Sequence, residues 1–358
     1  MLTSFGYASN DGIVVEPGIM STRDYRDGAL KVRYVRFLIN VKNTNGARWQ
    51  LIVRDADLRP VESITSAAVP PNGSLWTRRI YTEGMVTFHF TSSDPNSRLE
   101  IPTTVVMPED SKRPYYSIQT QPAKFMDLYK EASSEKRIAG DHIGMLSAIW
   151  GSASWCCSAV AVTEDLVLTN WHCGGNEKIL GNESGVWSQA ICDRTIIDFS
   201  WDQDGTDREF ACMEVVDMDP AADFALLRVA PIHRLDTLRP AKLRSQGPGV
   251  GEELRLIHHP ACRPKNVTDG CRVGAVNVRS WRGALSSDFQ YPCDSENGSS
   301  GAPLLDKNDQ VVGIHHLGFE KMEDGTCDRL NKGVALPAIL GAMKPTIADR
   351  IRKNNPLR

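Results

Sequence analysis

An all-β chain in two parts is what this sequence of 358 residues predicts. Three observations carry that expectation. Apolar and polar residues alternate with period two through residues 31–106; a second run of short apolar segments follows residue 138; and all nine cysteines lie between Cys156 and Cys327. Such alternation is what strands half-buried against one core require, and the cysteine boundary marks two regions of different make-up. Length agrees, since one hydrophobic core rarely serves so many residues.

In chain order, the first part holds Phe37, Ile39 and Val41 in one alternating run, Trp49, Leu51 and Val53 in the next, and Val86, Phe88 and Phe90 in a third. Asn43-Thr44-Asn45-Gly46, Pro70-Pro71-Asn72-Gly73 and Ser93-Asp94-Pro95-Asn96 punctuate them as turns. The result is a small antiparallel β-sandwich over residues 1–120. No catalytic constellation falls on it, so an accessory role is expected: binding, chaperoning, or regulating the rest of the chain from within. Over residues 121–137 the pattern changes, with Phe125, Leu128 and Tyr129 at helical spacing, and predicts a linking helix. Short apolar strands return over residues 138–358. The chain closes on a helical pattern from Leu336 to Ile351, broken by Pro337, Gly341 and Pro345.

Composition excludes more than it assigns. A net charge of -3 leaves no electrostatic footprint for nucleic acid or an anionic membrane, and no apolar run nears the roughly 18–20 residues of a bilayer span. The start, MLTSFGYASNDG, has neither a basic n-region nor an apolar h-region, from which a reducing compartment is expected. The cysteine content points instead to an oxidising one, and the two signals conflict. Nine is odd, so at least one thiol is left over or pairs between chains. No pair of CxxC motifs stands at zinc spacing; neither metal nor cofactor is expected.

The chemistry concentrates in Asp294-Ser-Glu-Asn-Gly-Ser-Ser-Gly-Ala-Pro303. A nucleophilic hydroxyl must project from a tight turn whose N–H groups converge on one point, and Gly298 and Gly301 allow that turn. A serine also needs an imidazole to take its proton and a carboxylate to hold that imidazole. Leu166-Val-Leu-Thr-Asn-Trp-His172-Cys173 ends an apolar strand on a histidine, and Ala222-Asp223-Phe-Ala-Leu-Leu227 places a carboxylate ahead of another. Asp217 and Asp219 compete with Asp223, but they fall in an Asp-Met-Asp-Pro segment where aspartate serves turn geometry. Ser299 competes with Ser300 for the nucleophile's place. His258 and His259 read as structural loop histidines.

Together these segments resemble the T-A-x-H-C, D-x-A-L and G-x-S-G-x-P motifs of the trypsin-like serine peptidases, over roughly residues 138–345. The resemblance implies a double β-barrel for residues 138–358, a triad of His172, Asp223 and Ser300, an acyl-enzyme, an oxyanion hole from the amides of Gly298 and Ser300, and a polypeptide substrate. Leu256-Ile-His-His-Pro260 with Lys265, and Val312-Gly-Ile-His-His316, are more like bacterial lysyl and glutamyl endopeptidases than mammalian trypsin. Asp294 is similar to trypsin's pocket aspartate and implies Lys or Arg before the cut. His315, with Gly318 beyond it, matches the pocket of glutamyl endopeptidases and implies an acidic residue. Cys157 with Cys173 resembles the family's bridge across the histidine loop. Cys192 with Cys212 and Cys271 with Cys293 are the next pairings expected, although spacing alone does not dictate them; Cys156, Cys262 and Cys327 stay unassigned. Arg137-Ile-Ala-Gly140 resembles a trypsin-type zymogen junction, but Ser299 stands where the family's aspartate would receive the new N-terminus. Two other functions compete: an inactive barrel serving as a regulated binding module, and an esterase or transferase using the same triad.

Overall fold

The computed structural model describes residues 7–9, 12–26, 31–42, 44, 46–69, 73–108, 124–130, 132–151, 153–175, 187–202, 208–232, 236–280, 285–321 and 327–354. The chain divides into two units, Ser4–Arg113 with Ile149–Ser154, and Pro114–Ala148 with Trp155–Arg358.

In the first unit the period-two pattern becomes two antiparallel sheets. One has five strands, Tyr7–Ser9, Ile13–Val15, Val32–Lys42, Ser74–Trp76 and Arg98–Pro108; the other has four, Met20–Asp24, Trp49–Arg54, Pro60–Thr65 and Met85–Ser92. Alternate residues of each face inward, so Val35, Phe37 and Ile39 from one sheet and Leu51, Val53, Phe88 and Phe90 from the other share one core. Phe37 and Phe88 meet edge to face, centroids 4.9 Å apart. The Ser93–Asn96 turn is closed by Asp94, whose Oδ1 accepts the Asn96 N–H at 2.9 Å. The turns predicted at Asn43–Gly46 and Pro70–Gly73 lie partly outside the described residues.

The second unit opens with a closed barrel whose strands run Ile143–Trp150, Ala153–Ala161, Leu166–Thr169, Phe224–Pro231, Glu209–Asp219 and Thr195–Asp198 around the ring. Its companion is a nine-stranded sheet in the order Met126–Asp127, Asn266–Arg272, Glu253–His258, Pro303–Leu305, Gln310–Leu317, Asn331–Ala335, Asp288–Tyr291 and Ala275–Val278, with Lys242–Leu243 alongside Gln310–Leu317. Val160, Leu168 and Phe224 of the barrel and Ile257, Val267 and Ile314 of the sheet share a single core, capped by Leu336 and Ile339 of helix Leu336–Ala342 and Ile351 of helix Pro345–Asn354. The fold is all-β apart from such short helices.

The linking helix over residues 121–137 is corrected. Residues 121–123 lie outside the described residues, but Met126 and Asp127 pair antiparallel with Val267 and Asn266, and the Leu128 N–H donates to the Lys265 carbonyl at 3.0 Å. Helix begins only at Ser134–Gly140. A spacing of three between Phe125 and Leu128 suits a helix, yet a sheet edge offers main-chain partners that an isolated amphipathic turn lacks. Phe125 and Leu128, on either side of the two-residue edge strand Met126–Asp127, are buried, whereas Tyr129, which a helical face would cover, is exposed.

Candidate active site

His172 and Asp223 are neighbours because their strands are. Leu166–Thr169 pairs antiparallel with Phe224–Pro231, Thr169 opposite Ala225. His172 follows the first strand on a 3-10 turn, Trp171–Gly174, and Asp223 immediately precedes the second. Asp223 has φ +45°, a left-handed conformation costly for a residue with a Cβ, and its carbonyl is held by the Asn170 side-chain amide at 2.9 Å. Its Oδ1 accepts the His172 backbone N–H at 3.0 Å, and its Oδ2 lies 2.8 Å from His172 Nδ1. Burial alone would raise this fully buried carboxyl, but the charge and hydrogen bond of His172, then those of His316, outweigh it and hold it well below the usual carboxylate range.

On the other side of the imidazole, Nε2 lies 2.8 Å from Ser300 Oγ. Ser300 sits in a loop between strands Asp288–Tyr291 and Pro303–Leu305 that is tied to the first barrel through Ser158. The Ser158 N–H donates to the Ser300 carbonyl at 2.7 Å and its hydroxyl to the Gly298 carbonyl at 2.9 Å. Gly301, at φ +82°, is obligatory here: a Cβ would come within 2.2 Å of the Ser158 carbonyl oxygen. The Ser299, Gly301 and Ala302 amides donate to the carbonyls of Glu296, His315 and Ser299. Those of Gly298 and Ser300 donate to no acceptor among the described residues.

Of the two adjacent serines, only Ser300 reaches His172. Ser299 is fully buried; its hydroxyl shares a 2.7 Å hydrogen bond with His258 Nδ1 and accepts the Glu296 N–H at 3.1 Å. His258 therefore pins the neighbour of Ser300 from the end of strand Glu253–His258, rather than lying in a loop. Burial pushes its ring well below the ordinary histidine range, so it does this as a neutral group. Asp217 and Asp219 are spent locally, accepting the N–H groups of Lys344 at 2.7 Å and Ala222 at 2.6 Å.

Of the residues expected to set specificity, Asp294 is 2% exposed and its Oδ2 accepts the Lys124 N–H at 2.6 Å. His315 Nδ1 lies 2.6 Å from the Tyr291 hydroxyl. Burial raises the tyrosine well above its ordinary value, so the hydroxyl keeps its proton and donates it to Nδ1. Burial, with the charges of His316 and His172, pushes His315 down to about 3. Gly318 follows the end of the same strand, half-buried.

Sequence reasoning missed His316. Its Nδ1 is 3.2 Å from Asp223 Oδ2 and its Nε2 2.9 Å from Asp288 Oδ2, with all three side chains fully buried. Burial opposes a charge on this ring, but the hydrogen bonds and charges of the two carboxylates outweigh it and push it up to about 9. The only sequence signal was a second histidine in an apolar strand. The described chain also holds four disulfides: Cys157–Cys173 across the histidine turn, Cys192–Cys212, Cys271–Cys293, and Cys156–Cys262, which the sequence left unassigned. The ligand atoms of Cys157, His172 and Cys173 lie within 4.8 Å of one another, but their sulfurs are bridged, which removes both thiolates from any metal site.

The profile of the trypsin-like peptidase domain matches residues 157–314. Curated relatives include the Secreted RxLR effector protein 73 of Plasmopara viticola, 25% identical over 171 residues, covering 44% of this chain and 42% of that protein. The glutamyl endopeptidase of Staphylococcus epidermidis is 25% identical over 168 residues, covering 46% of this chain and 54% of that one. The chain thus spans about half the length of the curated relatives it matches. Among solved structures, the active form of the Rv3671c protease from M. tuberculosis is 16% identical, covering 62% of this chain and 84% of that chain with a TM-score of 0.43. By its fold and by the match over residues 157–314, the chain contains a trypsin-like peptidase domain.

Proposed function

We propose that this chain is a serine endopeptidase acting through Ser300, His172 and Asp223. The observation that carries the reading is the unbroken hydrogen-bond chain from Asp223 Oδ2 through both nitrogens of His172 to Ser300 Oγ, each link 2.8 Å. Asp223 fixes the tautomer with Nδ1–H, so Nε2 presents its lone pair to the serine hydroxyl. As Ser300 Oγ attacks the scissile carbonyl, His172 takes its proton and returns it to the leaving amine. The Gly298 and Ser300 amides receive the oxyanion. Water then hydrolyses the acyl-enzyme by the same steps in reverse roles.

For the residue before the cut, a basic side chain would have to face Asp294. That carboxylate is buried and already accepts the Lys124 amide, which favours the second reading. Tyr291 fixes His315 Nδ1 as an acceptor, so the ring's donor is Nε2–H, suited to a carboxylate side chain. The sandwich of residues 1–120 is proposed as an accessory module that restrains the peptidase or selects its targets. Because Met126–Asp127 belongs to the peptidase sheet, the natural cut for testing this is near Pro114 rather than at Ile138.

Digestion of a denatured protein with mapped cleavage sites, alongside fluorophosphonate labelling, tests the proposal. Labelling and cleavage that both vanish in Ser300→Ala are expected. Labelling without peptide cleavage would indicate an esterase or transferase, and neither would indicate a binding module. The mapped sites read the specificity, and active-site titration of the intact chain against one starting at Pro114 reads the role of the sandwich.

A further inference from the structure

We propose that His316 is a positioning residue of this site: it grips the back of Asp223 as a doubly protonated ring, itself anchored on Asp288. The hydrogen-bonded line then runs Ser300–His172–Asp223–His316–Asp288. The proposal rests on the catalytic reading of the first three residues.

A proton inventory carries the argument. Both nitrogens of His316 face carboxylate oxygens, Asp223 Oδ2 at 3.2 Å and Asp288 Oδ2 at 2.9 Å. A neutral imidazole has one N–H, and its other nitrogen would turn a lone pair on a carboxylate. Both carboxylates are already acceptors elsewhere, Asp223 from the backbone and ring of His172 and Asp288 Oδ1 from the Ser287 hydroxyl at 2.8 Å. Two N–H donors on His316 satisfy both of these contacts, and a buried cation between two buried anions is tolerable where a lone one is not. Among the described residues, the ionisable groups that bear on the ring are Asp223 ahead of strand Phe224–Pro231, Asp288 on strand Asp288–Tyr291 and His315 on its own strand, with His172 on the far side of Asp223.

The backbone explains how it gets there. Strands Gln310–Leu317 and Asp288–Tyr291 flank Asn331–Ala335, and the register shifts between His315 and Leu317. Such an irregularity re-aims a side chain out of the ladder. Asp223, in its left-handed backbone, is thereby clamped by His172 in front and by His316 behind. The cation shares Asp223's charge with His172, which keeps the site working further into acid. Loss of the His316 proton near pH 9 releases the clamp.

Two measurements on the full-length chain test this. Histidine ring NMR of the Ser300→Ala protein, with His316 assigned by a Ser300→Ala/His316→Ser double variant, needs no activity. His316 is expected to hold both ring protons until about pH 9, with His258, His259 and His315 neutral at pH 7. A neutral His316 at pH 7 overturns the proposal. In kcat/KM against pH, His316→Ser should move the acid limb up by roughly one pH unit or more, for about tenfold less activity on that limb, and remove an alkaline limb near 9. Asp288→Asn should draw that alkaline limb to lower pH, and serves if His316→Ser does not fold. Limbs that stay in place in folded variants of an active enzyme overturn the positioning role. A wild-type chain with neither cleavage nor fluorophosphonate labelling overturns the function reading, and the positioning role with it, whatever charge the ring carries.

Discussion

The two units solve the problem of burial differently. In the sandwich, among the described residues, the buried charged side chains are Arg36 and Arg79, whose guanidinium groups lie 5.4 Å from the Tyr34 ring centroid and 5.8 Å from that of Tyr81. Its other buried side chains are aliphatic, aromatic or uncharged hydroxyl groups such as Thr77 and Ser97. The peptidase unit buries Asp198, Asp202, Glu209, Asp223, Lys265, Asp288 and four histidines, and binds Lys265 Nζ to Asp202 at 2.9 Å. A buried charge costs several kcal/mol unless paired, so one unit is stabilised by apolar area and the other spends part of that gain on groups that must be matched exchange for exchange. The second strategy makes chemistry available and makes the unit sensitive to solvent conditions.

That contrast can be broken by experiment. The largest effect is expected from Asp223→Asn, which should lower kcat about ten-thousandfold by favouring the wrong tautomer of His172, while the thermal transition of the sandwich stays where it is. A sandwich transition that moved with it would erase the distinction between the units. Next in size, calorimetry under reducing conditions should destabilise only the unit that holds the four disulfides, by roughly 2–4 kcal/mol per bridge.

Acid should act on the same unit. His259 and His315 sit at about 3 in the fold, against about 6.5 in an unfolded chain, so the unfolded state binds more protons between these values. Stability of the peptidase unit should therefore fall as pH drops from about 6.5 towards 3. His316 acts with the opposite sign: raised to about 9, its contribution is complete below about 6.5 and is lost as pH rises through 9. Circular dichroism melts across this range should give a dome for the peptidase unit and a nearly flat line for the sandwich. The smallest effect is expected from Arg137→Gln. His258 already pins Ser299 in the uncut chain, so activity within about twofold of wild type sharpens the view that no cleavage there is needed. An inactive Arg137→Gln protein would restore a zymogen.

What the sequence made legible follows a physical line. Strands that alternate, and a histidine, aspartate and serine each set in a local motif beside an apolar strand, are short-range signals. His316 and Asp288 are not, because their meeting depends on the order of three strands and on one shift of register. Phe125 and Leu128 misled for a related reason: their spacing is compatible with a helix, and only the distant edge at Asn266–Val267 turns that segment into a strand. The pairing of Cys156 was not legible: the sequence leaves it unassigned with Cys262, and only the structure, in which successive strand residues point to opposite sides, sends Cys156 and Cys157 to different partners.

Those adjacent cysteines have one more consequence. Cys157 ties its strand to the histidine turn of the barrel, and Cys156 ties the same strand to the loop after Glu253–His258 in the companion sheet. The half that carries His172 and the half that carries Ser300 are thus stitched at one point. A single backbone cut anywhere between Cys156 and Cys262 leaves both pieces in one covalent molecule, until a reductant lets them part.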